Sequence, residues 1–302
     1  MTFYRAHSGR KLSQRRQSKL IRAFRHDGTK MTAKYFDYYT SVADRMLPFL
    51  QGRQVAIEQQ FPRSKGIVYR RHTGGDGDDT WIRVSDRDSL LDWARQHAVG
   101  MHAHVRSEDR GAWFVIDIDS RVLPTEMAQV AAVHAADILT EQGVDALVKF
   151  SGSDGFHLMW DVPDLGDLED EALWELERAV VRAVACEVER RLVRDPEASV
   201  IWGTVGAGNK AITTGSADRE NPNALLFDEY ILKENANFRV PYSIHPATGL
   251  VAAPLDRSQL ATFRPDDASP EAVAADWPVV PLPEYSVEDV RRALASWHSD
   301  GC

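Results

Sequence analysis

The sequence predicts an α+β protein with a central mixed or antiparallel sheet flanked by helices. Apolar runs of strand length follow one another across short turns rich in Gly, as they do in hairpins. Helix-length segments with apolar residues every three or four positions lie between these groups of strands. Strands and helices therefore do not alternate regularly, as they would in a doubly wound parallel sheet. With 302 residues, 43% hydrophobic and 27% charged, the chain has the composition of a globular protein with a substantial core.

The first half of the chain is predicted to begin with two helices. Residues 9–26 have the pattern of a basic amphipathic helix with a thin apolar side. Residues 32–50 carry apolar side chains, several of them aromatic, at helical spacing, which indicates a core helix. Apolar runs bounded by turn residues then predict strands, with one helix before the last of them. The predicted strands are 55–58, 66–70, 80–84 and 101–106, and the predicted helix is 87–97.

The second half is predicted to contain two long helices and several short strands. A helix at 124–142 is closed by Gly143. Acidic residues interspersed with Leu and Ala predict a longer helix at 168–194, and a segment rich in Gly, Thr and Asn predicts a long loop at 203–222. The other predicted strands are 145–150, 156–161, 224–231, 238–244 and 249–253, and a proline-rich tail ends in a short helix at 286–297.

Charge is unevenly distributed along the chain. The net charge of −9 argues weakly against nucleic-acid binding, yet residues 5–34 carry ten Lys and Arg residues against one acid. Such asymmetry permits a local phosphate-binding face on an acidic protein. The alternative is that this basic helix is only a solvated surface. The basic residues that we expect to contact nucleic acid are Arg15, Arg16 and Lys19.

The sequence also limits the cellular setting. No run of about 18 apolar residues exists, so no transmembrane helix is expected. The polar, basic start lacks the apolar core of a secretory signal. The two cysteines are too few for a disulfide framework or a zinc site, and Cys186 is expected to be an inert helix-core residue. We therefore expect a cytoplasmic protein without zinc and without a membrane partner.

The sequence FVIDID at residues 114–119 is the strongest indication of chemistry. Side chains two residues apart in a strand lie on one face, so Asp117 and Asp119 are expected to point out together. Paired carboxylates on a buried strand need a counter-ion, and such pairs hold two divalent cations for in-line displacement at phosphorus. The alternative is a strand that runs into a polar turn. His102 and His104 are a weaker metal pair, because no third ligand lies near them in the sequence.

A second motif, KFSGSDGFH at residues 149–157, predicts a strand, a turn and a returning strand. Small residues such as Gly152 let backbone N–H groups approach a phosphate, and Ser151 adds a hydroxyl donor. His157, at the start of the returning strand, could donate to the same phosphate. The alternatives are a plain hairpin and a core histidine whose hydrogen bonds are satisfied.

A third motif, FRVPYSIHPATGL at residues 238–250, places three polar side chains at odd spacing. In an extended stretch Arg239, Ser243 and His245 would share a face. A guanidinium, a hydroxyl and an imidazole together suit a triphosphate. The candidates for a third metal ligand lie upstream, where an apolar strand ends: Asp228 first, with Asp218 and Glu229 as weaker candidates.

The order of these motifs resembles the archaeo-eukaryotic primase superfamily. This superfamily includes the small catalytic subunit of DNA primase and the polymerase domain of bacterial end-joining DNA ligases. The matching order is Ile-Asp-Ile-Asp, then Ser-Gly-x-x-Gly-x-His, then a strand-ending Asp, then Arg-x-Pro-Tyr-Ser-x-His-x-x-Thr-Gly. The resemblance covers about residues 30–256, and the segments YFDYY at 35–39, LPFLQGR at 47–53 and VYRRH at 68–72 are similar to the ligase-type domains.

The resemblance implies a primase-polymerase-like catalytic core and a role for each matching residue. The catalytic metal ligands would be Asp117, Asp119 and Asp228, which would hold two Mg²⁺ or Mn²⁺ ions. The nucleotide-binding residues would be Ser151, Gly152, His157, Arg239 and His245, to which the expected shared face adds Ser243. Tyr69 and Arg70 lie where ligase-type domains place aromatic and basic groups near the template.

The expected function is that of a template-directed nucleotidyltransferase, a DNA primase or polymerase that acts in priming or in break repair. Its expected partners are DNA template and primer, nucleoside triphosphates, and a separate ligase, an end-binding protein or a primase large subunit. The alternative is a non-catalytic DNA-end-binding or bridging module of end joining, and a nuclease or cyclase is a third candidate. The expected segments are a basic N-terminal helix at 1–28, a catalytic domain at 29–262 and a proline-rich tail with a short helix at 263–302.

Departures from the family pattern leave the biological role open. The chain lacks the cysteines for the zinc-binding insert of primase small subunits. Asp154 stands where ligase-type domains tend to have Lys, and His245 is the primase-like choice where they have Arg. No ligase or helicase domain is expected within the chain. Priming and gap filling, and ribonucleotides and deoxynucleotides, are therefore not separated by the sequence.

Overall fold

The structure is a computed structural model, and it describes residues 28–61, 66–73, 80–196, 198, 211–214, 224–231, 233 and 236–298. The predicted helix at 9–26, with Arg15, Arg16 and Lys19, lies outside these residues. The described part contains α-helices and two sheets, so the predicted α+β class is confirmed.

Most elements lie close to their predicted positions. The helices are α1 (Gly28–Met46), α2 (Arg87–Arg95), α3 (Thr125–Glu141), α4 (Asp170–Arg194), α5 (Arg257–Leu260), α6 (Pro270–Ala275) and α7 (Val287–His298). The strands are β1 (Val55–Gln59), β2 (Val68–Arg70), β3 (Ala98–His104), β4 (Arg106–Ser107), β5 (Gly111–Asp119), β6 (Leu147–Phe150), β7 (Gly155–Val162), β8 (Ile212–Thr213), β9 (Leu225–Phe227), β10 (Asn237–Arg239) and β11 (Pro254–Leu255). Short 3₁₀ helices cover Leu47–Phe49, Glu229–Ile231 and Pro265–Ala268.

Two sheets organise these strands. The smaller sheet is antiparallel, with the strand order β10-β3-β1-β2. The larger sheet has the order β11-β6-β7-β5-β9-β8, with β4 paired to β5. Among the described strands of the larger sheet, the pair β8–β9 is parallel and the others are antiparallel. Helices α3 and α4 pack against each other, and α3 also packs on β5 and β7.

The central strands β5 and β7 have one apolar and one polar face. All of β7 is buried, and so is β5 up to its last residue, Asp119. One face pairs apolar side chains such as Ile116 and Leu158 across the two strands. The other face pairs Asp117 with His157. Because buried polar groups must be compensated inside the protein, this second face requires further polar groups or ligands nearby.

A buried arginine ties the two sheets together. Arg53 precedes β1, is 2% exposed and donates from Nη2 to Oδ1 of Asp161 on β7 at 3.0 Å. Its Nη1 donates to the carbonyls of His104 at 3.1 Å and Val105 at 2.9 Å. The guanidinium also lies 4.1 Å from the ring centroid of Trp113. These contacts fix the edge of the smaller sheet against β5 and β7, which sets the relative position of side chains from both sheets.

Several predicted elements differ from the structure. The predicted loop at 203–222 contains β8, which pairs with β9, while its other described residues are in coil. The predicted strand at 80–84 is reduced to isolated bridges at Trp81 and Ile82. The predicted strand at 238–244 ends at Arg239, because the chain turns at Tyr242 with φ +67°. Short strands of this kind depend on tertiary pairing more than on local pattern.

The predicted tail packs as part of the same fold. The ring of Phe263 lies 5.2 Å from that of Phe150 and 6.0 Å from that of Phe156. Trp277 Nε1 donates to the carbonyl of Pro254 at 2.6 Å. Helix α7 packs against α4. Residues after 262 therefore support the larger sheet, and the predicted boundary at this point stays a sequence prediction.

Cys186 on α4 is disulfide-bonded, which corrects the expectation of an inert helix-core thiol. Within the ranges that the structure describes, no helix has both the length and the apolar character needed to cross a membrane.

Candidate functional site

Three carboxylates gather at one end of the larger sheet. Asp117 and Asp119 share the polar face of β5, and β9 runs beside the end of that strand with Leu226 opposite Asp119. Asp228 follows β9 directly, and its N–H donates to the carbonyl of Asp117 at 3.0 Å. The antiparallel β5–β9 pair thus brings together the three acids that the sequence analysis selected.

The electrostatics of these acids show that they lie within reach of one another. Burial, and then the charge of Asp228, raise the pKa of Asp117 to about 7. The charge of Asp117, and then burial, raise the pKa of Asp119 to about 8. Repulsion of this strength means that the cluster holds protons near neutral pH unless cations replace them.

The donor chemistry of the cluster fits a hard divalent cation. Oδ1 of Asp117 is buried and has no hydrogen-bond donor, although Nε2 of His157 lies 3.1 Å away in a direction unsuited to one. Carboxylate oxygens are the ligands that Mg²⁺ and Mn²⁺ prefer. In the described part of the chain, no three His, Cys, Asp or Glu side chains have the arrangement of a formed metal site. The argument that this cluster suits a divalent cation therefore depends on the unpaired oxygen of Asp117 and on the charge of the acids, not on a preformed ligand geometry.

Gly155 leaves room for the carboxylate of Asp119. It pairs with Asp119 across β5 and β7. A Cβ added to Gly155 would lie 2.7 Å from Oδ1 of Asp119 and 2.5 Å from the carbonyl oxygen of Ile118. Asp119 therefore reaches over a position that only glycine leaves open.

Asp154 adds a fourth carboxylate that the sequence analysis did not include in the site. It lies in the turn before β7, and its carbonyl accepts from the N–H of Ser120 at 3.3 Å. Its charge contributes to the raised pKa of both Asp117 and Asp119. The sequence signal that pointed to Asp154 was an acid at a position where ligase-type domains tend to have Lys.

The turn between β6 and β7 is held in a specific shape. Oγ of Ser151 accepts from the N–H groups of Ser153 and Gly155, both at 3.1 Å. Gly152 has φ +90°, and a Cβ there would lie 2.9 Å from Cβ of His245. Oγ1 of Thr248 donates to the carbonyl of Gly152 at 2.5 Å. These contacts hold the second and third motifs together. The oxygen of Ser151 already accepts two hydrogen bonds within the turn.

His157 lies in a row of three polar side chains across β6, β7 and β5. The strand registers place Lys149 opposite His157 and His157 opposite Asp117. Nζ of Lys149 contacts Nδ1 of His157. Burial, and then the charge of Lys149, lower the pKa of His157 well below its usual range. His157 is therefore a neutral imidazole near neutral pH.

Arg239 is buried and already paired. Its Nη1 donates to Oε2 of Glu58 at 2.9 Å and to the carbonyl of Ile244 at 2.8 Å. Nε2 of His102 lies 3.2 Å from the same oxygen of Glu58. Burial alone would raise the pKa of Glu58, but His102 and Arg239 outweigh it and lower the pKa to about 2. A Cβ at Gly100 would lie 2.0 Å from that oxygen, so glycine makes room for the pair.

The other residues of the third motif do not share a strand face with Arg239, because the chain turns at Tyr242. Ser243 is fully buried, and its Oγ accepts from the N–H of Met101 at 2.8 Å. Its hydroxyl fixes the loop to β3, so Ser243 is not among the proposed phosphate contacts. His245 lies beside the β6–β7 turn, and burial followed by the charge of Arg239 lowers its pKa to about 4.

The remaining predicted residues have other partners or lie outside the described residues. Tyr69 on β2 is 44% exposed, and its ring centroid is 5.8 Å from that of His102. Arg70 follows it, and the Arg71 guanidinium lies 5.4 Å from the Tyr69 ring. Glu229 accepts from Nε of Arg182 at 2.5 Å, so it serves as a partner of α4. Asp218, Arg15, Arg16 and Lys19 lie outside the described residues.

Sequence reasoning missed the side chains that support the predicted ones. Local pattern gave no signal for Glu58 or Lys149, because each meets its partner across strands. His102 was weighed only as half of a metal pair with His104. In the structure His102 faces Glu58, whereas the ring of His104 lies tilted against that of Trp81 with centroids 5.5 Å apart. The two histidines therefore have separate surroundings.

Fold and site together define a primase-polymerase type of protein, as the resemblance implied. The family model of the LigD primase-polymerase domain matches residues 31–276. This match spans most of the chain, and the chain belongs to that family. Among solved structures, it is similar to one described as the polymerase domain from Mycobacterium tuberculosis ligase D in complex with DNA. That likeness has 18% identity, a TM-score of 0.55 and coverage of 89% of each chain. A comparison with curated proteins gave no significant match.

Proposed function

We propose that the protein is a template-directed nucleotidyltransferase that extends a nucleic-acid strand during end joining. The observation that carries this proposal is the juxtaposition of the three acids with the second and third motifs. Asp117 lies opposite His157 on the neighbouring strand, and Gly152 lies against His245. A carboxylate cluster that attracts cations therefore borders a turn and a loop that suit a triphosphate.

The acids would hold the divalent ions of the reaction. Mg²⁺ or Mn²⁺ bound by Asp117, Asp119 and Asp228 would lower the pKa of the attacking 3′-hydroxyl and neutralise charge on the triphosphate. For this the carboxyls must be ionised, and bound cations would lower the raised pKa values of Asp117 and Asp119. Asp154 adds charge to the same place.

Neutral donors and one paired cation would contact the triphosphate. His157 and His245 both have a lowered pKa, so they would act as neutral hydrogen-bond donors. Arg239 can contribute its positive charge only where the phosphate shares it with Glu58 or displaces that carboxylate. The backbone of the Gly152 turn would complete the contacts.

Nucleic acid would approach along the smaller sheet. Tyr69 is exposed on the edge strand β2, with Arg71 against its ring. Exposed aromatic rings stack on bases, and neighbouring arginines contact phosphates. Arg70 belongs to the same predicted surface. The LigD family match favours end joining over priming, and the similar Mycobacterium tuberculosis domain was solved with DNA.

Primer extension with a matched pair of variants tests the proposal. Asp117→Asn keeps the size of the side chain and removes its charge, and we expect extension to fall by at least about 10²–10³-fold, since metal-ion charge stabilisation amounts to several kcal/mol. DNA binding should change little. Asp266→Asn alters an exposed acid of the C-terminal segment and serves as the control. Undiminished extension by Asp117→Asn would refute the assignment.

The products of the wild-type reaction separate the competing functions. Strand growth with release of pyrophosphate supports nucleotide transfer, whereas strand shortening indicates a nuclease. DNA binding without either product indicates a bridging module. Reactions on primed and unprimed templates separate gap filling from priming. Each should be run with Mg²⁺ and with Mn²⁺, and with ribonucleotides and with deoxynucleotides.

A further inference from the structure

Lys149 is a fully buried lysine whose side-chain nitrogen lies inside the site. It is 0% exposed on β6, and its Nζ contacts Nδ1 of His157. The other ring nitrogen of His157, Nε2, lies 3.1 Å from Oδ1 of Asp117. Lys149, His157 and Asp117 thus form a continuous polar row across three neighbouring strands.

The ring of Phe238 closes this row from the smaller sheet. Its centroid is 4.5 Å from Nζ of Lys149 and 4.4 Å from the ring centroid of His157. A lysine in such surroundings is costly to bury, and an apolar side chain of similar length would be more stable there. Its position therefore calls for a role beyond packing.

Lys149 decides the hydrogen-bonding role of one ring nitrogen of His157. An amine donates hydrogen bonds in both its charged and its neutral form. Lys149 therefore suits an unprotonated Nδ1, which leaves the proton of a neutral ring on Nε2. In a neutral histidine, the partner of one ring nitrogen decides which nitrogen carries the proton.

We propose that Lys149 is a positioning residue that holds His157 in the tautomer with its proton on Nε2. The N–H of His157 then lies on the Nε2 side of the ring, beside Asp117 and the proposed triphosphate site, while the ring of Phe238 packs against the imidazole. The use of this N–H to bind phosphate rests on the proposed function. The tautomer is a property of the protein without nucleotide or metal, so the two claims can fail separately.

Nitrogen-15 NMR of histidine-labelled protein tests the tautomer directly. Protonated and unprotonated ring nitrogens differ strongly in chemical shift, and His157→Gln identifies the signals of His157 among the ten histidines. We expect an unprotonated Nδ1 and a protonated Nε2 in the wild-type protein. A proton on Nδ1 would overturn the proposal, and this measurement needs no variant of Lys149.

The Lys149→Met variant tests the cause. It keeps the length of the side chain and removes the donor, and we expect a second population of His157 with the proton on Nδ1. Leu147→Met is the control, because Leu147 lies on the same strand face two residues away. An unchanged His157 spectrum in folded Lys149→Met would overturn the role of Lys149.

Kinetics connect the tautomer to the proposed reaction. We expect Lys149→Met to lower kcat for extension roughly 10–100-fold, the range found when the orienting partner of a ligating histidine is removed. Leu147→Met should remain near wild type. An inactive wild-type protein with the expected tautomer would refute the proposed function but support the positioning role. Full activity of Lys149→Met would overturn the catalytic use of that role.

Discussion

The acid cluster should make the metal-free protein less stable as pH rises. Asp117 and Asp119 have pKa values of about 7 and about 8 in the folded protein, against an ordinary value of 3.8. An acid whose pKa is raised by folding binds its proton more tightly in the folded state. Its stabilising contribution is therefore fully present below pH 3.8 and is lost as pH rises toward 7 and 8.

The size of this effect follows from the same values. A change of one in a pKa corresponds to about 1.36 kcal/mol. The repulsion between the two acids is counted once, because it raises the pKa of Asp119, whereas burial and the charge of Asp228 raise the pKa of Asp117. The two pKa values rise from 3.8 to about 7 and about 8, so the loss is on the order of 10 kcal/mol across the whole range, which corresponds to a fall in melting temperature of roughly 20 °C. Bound Mg²⁺ or Mn²⁺ should oppose the loss, because cations stabilise the ionised form.

Thermal unfolding with a chelator, between about pH 5 and pH 8.5, measures the effect. Other groups titrate in this range, so the informative quantity is the difference from a variant with both Asp117→Asn and Asp119→Asn. That variant should lose most of the downward slope and most of the stabilisation by divalent ions at the higher pH. If the slope is the same in both proteins, the acids do not repel one another and the proposed metal site is wrong.

Three further changes test other parts of the fold and site. Gly155→Ala should lower extension about 10²-fold because the added Cβ displaces Asp119, and its effect on thermal unfolding should be smaller than its effect on activity. Activity equal to wild type would contradict the close approach of Gly155 to Asp119. Glu177 is 1% exposed on α4 with both carboxylate oxygens unpaired, and burial raises its pKa well above the usual value. Glu177→Met should therefore stabilise the protein by about 1–3 kcal/mol in urea unfolding, more at pH 8 than at pH 5. Arg53→Ala should cost about 3–5 kcal/mol in the same assay because it leaves Asp161 buried without its partner, and a combined Arg53→Met and Asp161→Leu variant should cost less.

The local sequence predicted the parts of the site that lie on single strands. Asp117 and Asp119 are two residues apart, so their shared face followed from strand geometry alone. The hairpin that carries Ser151 and His157 followed from a turn signal between two apolar runs. Asp228 was selected because it ends an apolar run, but only the β5–β9 pairing brings it to the other acids.

The supporting residues could not be predicted in this way. Glu58 meets Arg239 and His102 only because β1, β3 and β10 are neighbours in the smaller sheet. Local spacing carries no information about such a strand order. The expected common face of Arg239, Ser243 and His245 failed for a related reason. The turn at Tyr242 interrupts the strand, and a positive φ at a tyrosine is not a signal that a sequence pattern predicts.

The pairing of charges explains how one site can serve both cations and a polyanion. Each buried basic group has a carboxylate that favours its charged form. Arg239 contacts Glu58, and the charge of Asp117 opposes the larger effect of burial, which lowers the pKa of Lys149 well below its usual value. Unpaired arginine and lysine at these positions would attract a triphosphate strongly, but burying them without partners would cost more than the fold can sustain. The acids Asp117 and Asp119 have the opposite problem and repel one another. A nucleotide that binds together with divalent ions would relieve both effects. The ions would neutralise the acids, and the phosphates would compete with Glu58 for Arg239. Tight binding should therefore require nucleotide and metal together.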